Sequence, residues 1–271
     1  MARLAVLQMT SGIDPAANAA TIVNASAAAA AGGAQMLFTP EMSVLIDRDR
    51  ARGGTNILPE ADNPALLQLQ EAASRHRIWI ALGSMAVARD DGRWANRSLV
   101  IGANGEIAAR YDKIHMFDVD LASGESWRES NAFAPGEQVV SVETPLGRLG
   151  LTVCYDLRFP ALFEALGRAK CDLIAVPAAF TVPTGRAHWH VLQRARAIEA
   201  TAYVVCAAQV GRHEDGRETY GHSLVIDPWG DVLLDAGGAA AGLHFAEIDP
   251  ARIAAVRAQL PCLANKQPIK V

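Results

Sequence analysis

A cysteine, a glutamate and a lysine are the residues of this sequence whose types and positions are best suited to chemistry. Cys154 follows a short apolar segment at 149–153, and Glu41 and Lys113 also come directly after predicted strands. Side chains at the ends of strands from different parts of a sheet can meet in one cleft. The sequence therefore predicts a cleft that holds a thiol, a carboxyl group and an ammonium group.

The surroundings of two of these residues predict shifted pKa values. Backbone N–H dipoles at a strand end would lower the pKa of the Cys154 thiol and make it a nucleophile. The segment 37–42 gives Glu41 an apolar setting, which would raise the pKa of its carboxyl group. The alternatives are a structural cysteine in the core and charged residues in solvated loops. The functional interpretation is favoured by polar neighbours of the cysteine, namely Tyr155, Asp156 and Arg158.

The composition is that of an ordinary globular protein. The chain has 271 residues, of which 51% are hydrophobic and 20% charged, and we expect one domain over residues 1–271. A net charge of −4 gives no basic surface for nucleic acid, and the apolar runs are too short for a membrane span. The four cysteines lack the spacing of zinc ligands, which predicts reduced thiols in a cytoplasmic protein.

Strand and helix signals alternate along the chain and predict an α/β fold with two mixed sheets. Three Asp-Pro or Asn-Pro pairs, at residues 14, 63 and 249, have the pattern of a helix start,. Helices are also predicted at 161–169 and 188–201. Strands are predicted at 4–8, 34–39, 78–83, 97–101, 106–111, 138–142, 149–153, 171–176, 203–209, 222–226, 232–234 and 243–248.

Two long stretches, 47–62 and 114–137, are predicted to be loops. The first is charged and contains glycine, and the second shows no regular period. A structureless segment as long as the second is uncommon in a compact domain and is usually functional. We therefore expect 114–137 to contribute contacts to a substrate.

Three blocks of this sequence resemble the motifs of the nitrilase superfamily of carbon–nitrogen hydrolases. The blocks are Pro40-Glu41, Tyr111-Asp112-Lys113-Ile114-His115 and Cys154-Tyr155-Asp156-Leu157-Arg158-Phe159-Pro160. They occur in the family's order, and the resemblance extends over essentially the whole chain. It implies a four-layer αββα sandwich, a homodimer and a catalytic triad of Glu41, Lys113 and Cys154. The family's second glutamate falls on Glu129, with Glu125 as the alternative.

The resemblance implies that an amide is hydrolysed through a cysteine thioester. Cys154 would attack the carbonyl, and Glu41, with a pKa near neutrality, would carry the proton from the thiol to the leaving amine. Lys113 and the backbone N–H of Tyr155 would stabilise the oxyanion. Glu129 would orient Lys113 or the incoming water. Neither a metal nor an organic cofactor takes part in this scheme.

The residues after the cysteine, Tyr-Asp, resemble the amidase branches of the superfamily, whereas true nitrilases typically carry Trp-Glu. Further blocks at 115–120, 129–131, 187–190, 194–199, 220–223 and 227–230 also resemble one of these branches, and that resemblance implies the 2-oxoglutaramyl amide of cysteinylglycine as the substrate. Free 2-oxoglutaramate and an N-carbamoyl amine are the alternatives. Phe180 and Thr184, in the predicted loop after Pro177, are expected to form walls of the pocket. Cations are needed for the substrate carboxylates, and the candidates are Arg158, Arg186, Arg194 and Arg212.

Two other function classes compete with this interpretation. A Cys-His hydrolase would use a histidine such as His115 as its base, but it leaves Glu41 and Lys113 without a role. A non-enzymatic α/β binding module is the second rival, and the sequence contains no glycine-rich phosphate loop,. Labelling separates the classes, because only a catalytic Cys154 should react faster with iodoacetamide than the other three thiols.

Overall fold

The structure, a computed structural model, describes residues 1–120, 124 and 126–267. The helices in this part are α1 (Pro15–Ala31), α2 (Arg50–Gly54), α3 (Pro64–His76), α4 (Pro160–Arg168), α5 (Val182–Ala200) and α6 (Pro250–Gln259). The strands are β1 (Ala2–Gln8), β2 (Met36–Phe38), β3 (Trp79–Ala88), β4 (Trp94–Ile101), β5 (Ile107–Asp112), β6 (Asp118–Asp120), β7 (Ser126–Arg128), β8 (Ser141–Thr144), β9 (Gly147–Leu151), β10 (Leu173–Ala175), β11 (Tyr203–Cys206), β12 (Val210–Arg212), β13 (Glu218–Tyr220), β14 (Leu224–Ile226), β15 (Val232–Asp235) and β16 (Gly242–Ile248).

Within the described residues, the strands form two six-stranded mixed sheets and two small hairpins. The first sheet has the order β16-β1-β2-β3-β4-β5, with β1, β2 and β3 parallel to one another. The second has the order β15-β14-β11-β10-β9-β8, with β9, β10 and β11 parallel. Parallel neighbours are joined through helices and antiparallel neighbours mostly through turns, so each sheet combines both connections, as predicted.

The two sheets pack face to face, and helices cover their outer faces. In β1, Leu4 and Val6 belong to the core between the sheets, whereas Ala5 and Leu7 pack with α1 and α3. This alternation follows from the two-residue period of a strand. On the second sheet, α4 and α5 pack together, and Trp189 of α5 is fully buried. The predicted four-layer αββα sandwich is confirmed.

Two boundaries near the predicted site differ from the sequence prediction. The strand expected at 149–153 ends at Leu151, because Cys154 has a left-handed φ of 49° and begins a 3₁₀ helix, Cys154–Arg158. The helix expected from residue 188 begins at Val182, so Thr184 lies in a helical turn instead of a loop. Proline, glycine and β-branched residues are poor helix formers in general, which hides this first turn in the sequence.

The predicted loops contain short regular elements. The stretch 47–62 holds α2, capped by the Asp49 side chain, and a 3₁₀ turn. In the described part of 114–137, β6 and β7 pair as a hairpin, and a second 3₁₀ turn spans Glu129–Asn131. The hairpin of β12 and β13 is also absent from the sequence prediction, since strands of three residues are too short to show a period.

The state of the cysteines and the length and polarity of the helices can be compared with the predictions made from composition. Among the described residues the cysteines are all free thiols, of which Cys154, Cys171 and Cys206 are buried and Cys262 is half-buried. None of the helices in residues 1–120, 124 and 126–267 is both long enough and apolar enough to cross a bilayer.

Candidate active site

Lys113 lies at the centre of a buried network of polar side chains. It directly follows β5, and its Nζ donates to Glu41 Oε1 at 2.9 Å and to Glu129 Oε1 and Oε2 at 3.1 and 2.9 Å. The side chain is 2% exposed. Burial alone lowers the pKa of Lys113, but the charges of Glu129 and Glu41 outweigh it and raise the pKa well above its usual value. Lys113 is therefore a fixed cation.

Glu41 follows β2 and is buried among hydrogen-bond donors. Its Oε1 accepts from Asn96 Nδ2 at 3.0 Å, and its Oε2 accepts from the Ala179 N–H at 2.9 Å. Burial raises the pKa of Glu41, but the charge of Lys113 and hydrogen bonds from Cys154, Lys113 and Asn96 bring it below its usual value. The predicted upward shift is wrong, because the sequence shows the apolar neighbours of Glu41 but not the cation brought to it by folding.

Cys154 is held between a carboxylate and an ammonium group. Its N–H donates to the Pro177 carbonyl at 2.8 Å, and its thiol lies close enough to Glu41, Lys113 and the Ala179 N–H for all three to shift its pKa. Burial and the negative charge of Glu41 raise the pKa of the Cys154 thiol well above its usual value, although Lys113 and the Ala179 N–H oppose the shift. The predicted lowering of this pKa is wrong for the resting site. The thiol keeps its proton beside an ionised acceptor.

Asp156 fixes the turn that carries Cys154 against the strand that carries Lys113. It is fully buried, and its Oδ2 accepts from the Tyr111 hydroxyl at 2.6 Å and from the backbone N–H preceding Cys154 at 2.9 Å. Its Oδ1 accepts from the His115 N–H at 3.0 Å. Tyr111 and His115 flank Lys113 in the sequence, so these hydrogen bonds set the separation between Lys113 and Cys154.

His115, the base of the rival Cys-His interpretation, is engaged elsewhere. Its Nδ1 lies 2.7 Å from Asp156 Oδ1, and its ring stacks on Phe159 with centroids 3.6 Å apart. It is not among the described residues that line the cavity next to Cys154. The geometry therefore favours Glu41 over His115 as the proton acceptor for the thiol.

Asn96 is the member of the network that the sequence analysis misses. It lies in β4, is 2% exposed, and its Nδ2 donates to Glu41 Oε1 and Glu129 Oε1 at 3.0 Å each. The backbone carbonyl of Asn96 accepts a hydrogen bond from the backbone N–H of Lys113 at 2.9 Å. The sequence prediction starts this strand at residue 97, so Asn96 falls just outside it, and only the structure places the asparagine inside β4. Asn96 therefore joins both carboxylates to the lysine.

Glu129 is the second carboxylate of the network. It begins the 3₁₀ turn after β7, and its Oε2 accepts from the Phe117 N–H at 2.7 Å. Because both of its carboxylate oxygens face Lys113 Nζ, its position suits holding the lysine in place. The alternative candidate, Glu125, lies outside the described residues.

A cavity of about 300 Å³ opens onto this network, at the lower end of the range for small-molecule sites. Of the predicted binding residues, Tyr155, Phe180 and Thr184 line it. Arg158 does not; its guanidinium lies 5.8 Å from the Tyr155 ring centroid and 5.7 Å from that of Phe180. This contact suits positioning the two rings.

The arginines that line the cavity differ from those considered in the sequence. Arg186, Arg194 and Arg212 are not among the described lining residues, and Arg194 donates instead to the Gly230 carbonyl at 2.7 Å. The lining arginines are Arg48, Arg50, Arg128 and Arg217. Arg48 and Arg50 lie just before and at the start of α2, Arg128 at the end of β7 and Arg217 just before β13, so no single motif marks them.

Comparisons with known proteins show what the chain is similar to. Residues 3–258 match the carbon–nitrogen hydrolase family. The chain is 40% identical over 269 residues to deaminated glutathione amidase of Yersinia enterocolitica, covering 98% of this chain and 93% of that protein. The structure resembles the C. elegans NitFhit protein with a TM-score of 0.90 and 35% identity, over 98% of this chain and 66% of that chain. It also resembles a glutamate-to-glutamine mutant of an amidase from Nesterenkonia sp. AN1, whose structure shows the result of Michael addition of acrylamide at the active-site cysteine. For this pair the TM-score is 0.81 and the identity 26%, over 96% of this chain and 98% of that chain.

Proposed function

The chain belongs to the carbon–nitrogen hydrolase family, and from this premise we propose that it is an amidase that forms a thioester on Cys154. One observation carries the proposal: the buried contact between the Cys154 thiol, the Glu41 carboxylate and the Lys113 ammonium group. The charges match what amide hydrolysis needs, namely a nucleophile, a proton acceptor and a cation for the developing oxyanion.

The first half of the reaction releases the amine. The Cys154 thiol gives its proton to Glu41 as the sulfur attacks the amide carbonyl carbon. The carbonyl oxygen becomes an oxyanion stabilised by Lys113 Nζ and the backbone N–H of Tyr155, in the first turn of the 3₁₀ helix,. Glu41 then protonates the leaving nitrogen, the C–N bond breaks, and the acyl group stays on sulfur as a thioester.

The second half returns the free enzyme. Glu41 accepts a proton from water, whose oxygen attacks the thioester carbonyl, and the same cation and N–H stabilise the second oxyanion. The C–S bond breaks, the acid leaves, and the proton returns from Glu41 to sulfur. Glu129 and Asn96 keep Lys113 in place throughout, since their hydrogen bonds do not depend on the substrate.

We propose deaminated glutathione as the substrate, with 2-oxoglutarate and cysteinylglycine as products. The relative's name supports this choice, and so does the charge of the cavity wall. The substrate carries a carboxylate at each end, and two cations, Arg48 and Arg217, lie beside the Trp127 ring at the cavity, at 5.1 and 5.3 Å from its centroid. Arg217 is paired with Asp215 at 2.8 Å, whereas Arg48 has no carboxylate partner within the described residues.

The substrate proposal is tested by comparing deaminated glutathione with 2-oxoglutaramate. Both share the acyl half, so only the leaving group differs, and contacts to cysteinylglycine can be used to orient the reacting amide. One charge-assisted hydrogen bond of about 1.5–3 kcal/mol corresponds to about one to two decades in kcat/KM. We expect a preference of at least about tenfold for deaminated glutathione. Equal values, or a preference for 2-oxoglutaramate, would identify an omega-amidase, and turnover of N-carbamoyl amines alone would identify an N-carbamoyl amine hydrolase.

Replacement of Arg48 tests whether a cation of the cavity wall recognises a carboxylate of the substrate. Arg48→Met should lower kcat/KM for deaminated glutathione by about tenfold or more, while a neutral amide of similar size should lose little. Arg186→Met is the control, because Arg186 is exposed and outside the cavity lining. If both variants lost the same activity on both substrates, Arg48 would not recognise a carboxylate.

We also propose that the chain is a homodimer. Large apolar side chains are exposed on one face of α5 and beside it, and exposed apolar patches on globular proteins commonly mark protein interfaces. The patch is formed by Val191, Ile198, Trp229, Val232 and Leu233. Sedimentation of the full chain should give a dimer mass, and Ile198→Glu should shift it to the monomer mass of 28.8 kDa. A wild-type mass of 28.8 kDa at micromolar concentration would contradict the proposal.

Two further predictions from the sequence stay proposals. A single domain over residues 1–271 is supported by a core cluster that joins side chains of both sheets, such as Val6 and Leu149. A cytoplasmic location is supported by a site that needs a reduced thiol. Limited proteolysis tests the single domain, and fractionation of the source cells tests the cytoplasmic location.

A further inference from the structure

Three ligand-type side chains from separate elements converge outside the cavity of the proposed amidase. They are His190 in α5, His222 just before β14 and Asp235 at the end of β15. The potential ligand atoms of these three residues all lie within 4.8 Å of one another. His190 Nε2 is 3.0 Å from Asp235 Oδ2, and His222 Nδ1 is 2.9 Å from Asp235 Oδ1.

The three residues are held in place by the backbone around them. The His222 N–H donates to the Gly237 carbonyl at 2.9 Å, and its carbonyl accepts from Trp189 Nε1, next to His190, at 2.7 Å. The Gly237 N–H donates to Asp235 Oδ1 at 2.9 Å. His222 itself has a left-handed φ of 54°, which turns its side chain out of the register of the following strand. The arrangement is thus fixed before any ligand binds.

We propose that His190, His222 and Asp235 form a binding site for a divalent transition-metal ion of the zinc type. Two imidazole nitrogens and one carboxylate oxygen are a common protein ligand set for Zn²⁺, with water in the fourth position. At bonds of about 2.0–2.2 Å, tetrahedral ligand atoms lie about 3.4 Å apart. The two nitrogen–oxygen contacts are shorter than this and would lengthen on binding, whereas the two imidazole nitrogens lie within 4.8 Å of each other and would settle at the tetrahedral separation.

Partial exposure makes the site accessible to an ion. The side chains of His190, His222 and Asp235 are 35%, 25% and 35% exposed. Without metal, each imidazole donates a ring N–H to Asp235; on binding, that hydrogen moves through solvent to the other ring nitrogen, and the freed lone pair binds the ion. The Tyr220 ring stacks on His222 with centroids 4.5 Å apart, and it covers one side of the cluster.

The experiment measures metal binding and not amide hydrolysis, so its outcome is independent of the proposed function. The chelator-treated full chain, carrying Cys154→Ala to remove the active-site thiol, is titrated with Zn²⁺ in a competition assay against a chromophoric chelator. We expect one equivalent to bind. His222→Ala and Asp235→Asn should each weaken binding at least about tenfold. The control is His188→Ala, which changes an exposed histidine on the same helix and should bind like the parent.

Co²⁺ identifies the ligands directly. Bound at this site it should give visible d–d bands without a thiolate charge-transfer band, and these should disappear in His222→Ala. Zn²⁺ should also raise the melting temperature of the parent and of His188→Ala only. If a variant fails to fold without metal, judged by circular dichroism, His190→Gln replaces it. Equal Zn²⁺ affinity in all variants, or no binding by the parent, would overturn the proposal.

Discussion

Replacing Glu41 with glutamine should separate the reactivity of the thiol from hydrolysis. The side chain keeps its size, and its oxygen can still accept the hydrogen bonds from Asn96 and Lys113. What disappears is the negative charge, which accepts the thiol proton and at the same time raises the pKa of Cys154. We therefore expect amide hydrolysis to fall and alkylation of the thiol at neutral pH to become faster.

The two effects have different magnitudes. Loss of a general acid–base catalyst costs about 10²–10⁴-fold in kcat. At a separation of about 4 Å, two unit charges interact by about 1 kcal/mol in water and about 4 kcal/mol at an effective dielectric constant of 20. Removal of this repulsion multiplies the thiolate fraction by about 5- to 900-fold. Since Glu41 and Cys154 are both buried, we expect the alkylation rate to rise at least about tenfold.

The assay is the pH dependence of iodoacetamide labelling at Cys154, followed by peptide mass spectrometry. The pKa of the thiol is raised in the wild type, so the labelling profile of Glu41→Gln should move to lower pH. The matched control is Glu218→Gln, because Glu218 lines the cavity but is absent from the network around Lys113; its profile should not move. An unshifted profile in Glu41→Gln, or unchanged hydrolysis, would refute the assigned contact between the carboxylate and the thiol.

Three further predictions concern the residues around this pair. Lys113→Met should lower kcat by about 10²–10³-fold with little change in KM, because the ammonium group faces a negatively charged oxygen only in the transition state. An effect confined to KM would make Lys113 an ordinary binding residue. Asn96→Leu should lower kcat by about 10- to 100-fold, since one charge-assisted hydrogen bond contributes about 1.5–3 kcal/mol. Unchanged kinetics would show that Asn96 does not hold the carboxylates of Glu41 and Glu129 in place. Tyr111→Phe should lower the free energy of unfolding, measured by denaturant titration, by about 1.5–3 kcal/mol, because the buried carboxylate of Asp156 loses a hydrogen-bond donor. Equal stability would mean that another donor replaces the Tyr111 hydroxyl.

The parts of the fold that the sequence predicts well are those set by local chemistry. The starts of α1, α3 and α6 each follow an aspartate or asparagine whose side chain caps the helix, with proline in the first turn,. Asp91-Gly92 and Asn104-Gly105 are dipeptides typical of hairpin turns, and they likewise lie between β3 and β4 and between β4 and β5. Local signals fail where tertiary packing decides, as at the start of α5.

In the site, the sequence predicts which residues meet but not their electrostatics. Glu41, Lys113, Glu129 and Cys154 come together as the resemblance implied, and their catalytic roles stay predictions. The pKa directions of Glu41 and Cys154 depend on partners more than 70 residues away in the chain, which apolar neighbours in the sequence cannot reveal. The same holds for Arg48 and Arg217, which reach one tryptophan from opposite ends of the chain.

The central claim, that hydrolysis passes through a thioester on Cys154, is tested most directly by trapping the acyl-enzyme. The full chain is mixed with deaminated glutathione, quenched in acid before one turnover is complete, and its mass is measured intact and after peptide digestion. We predict a 2-oxoglutaryl group on the peptide that contains Cys154, and neither adduct nor product with Cys154→Ala. Product formation by Cys154→Ala at the wild-type rate would contradict the account.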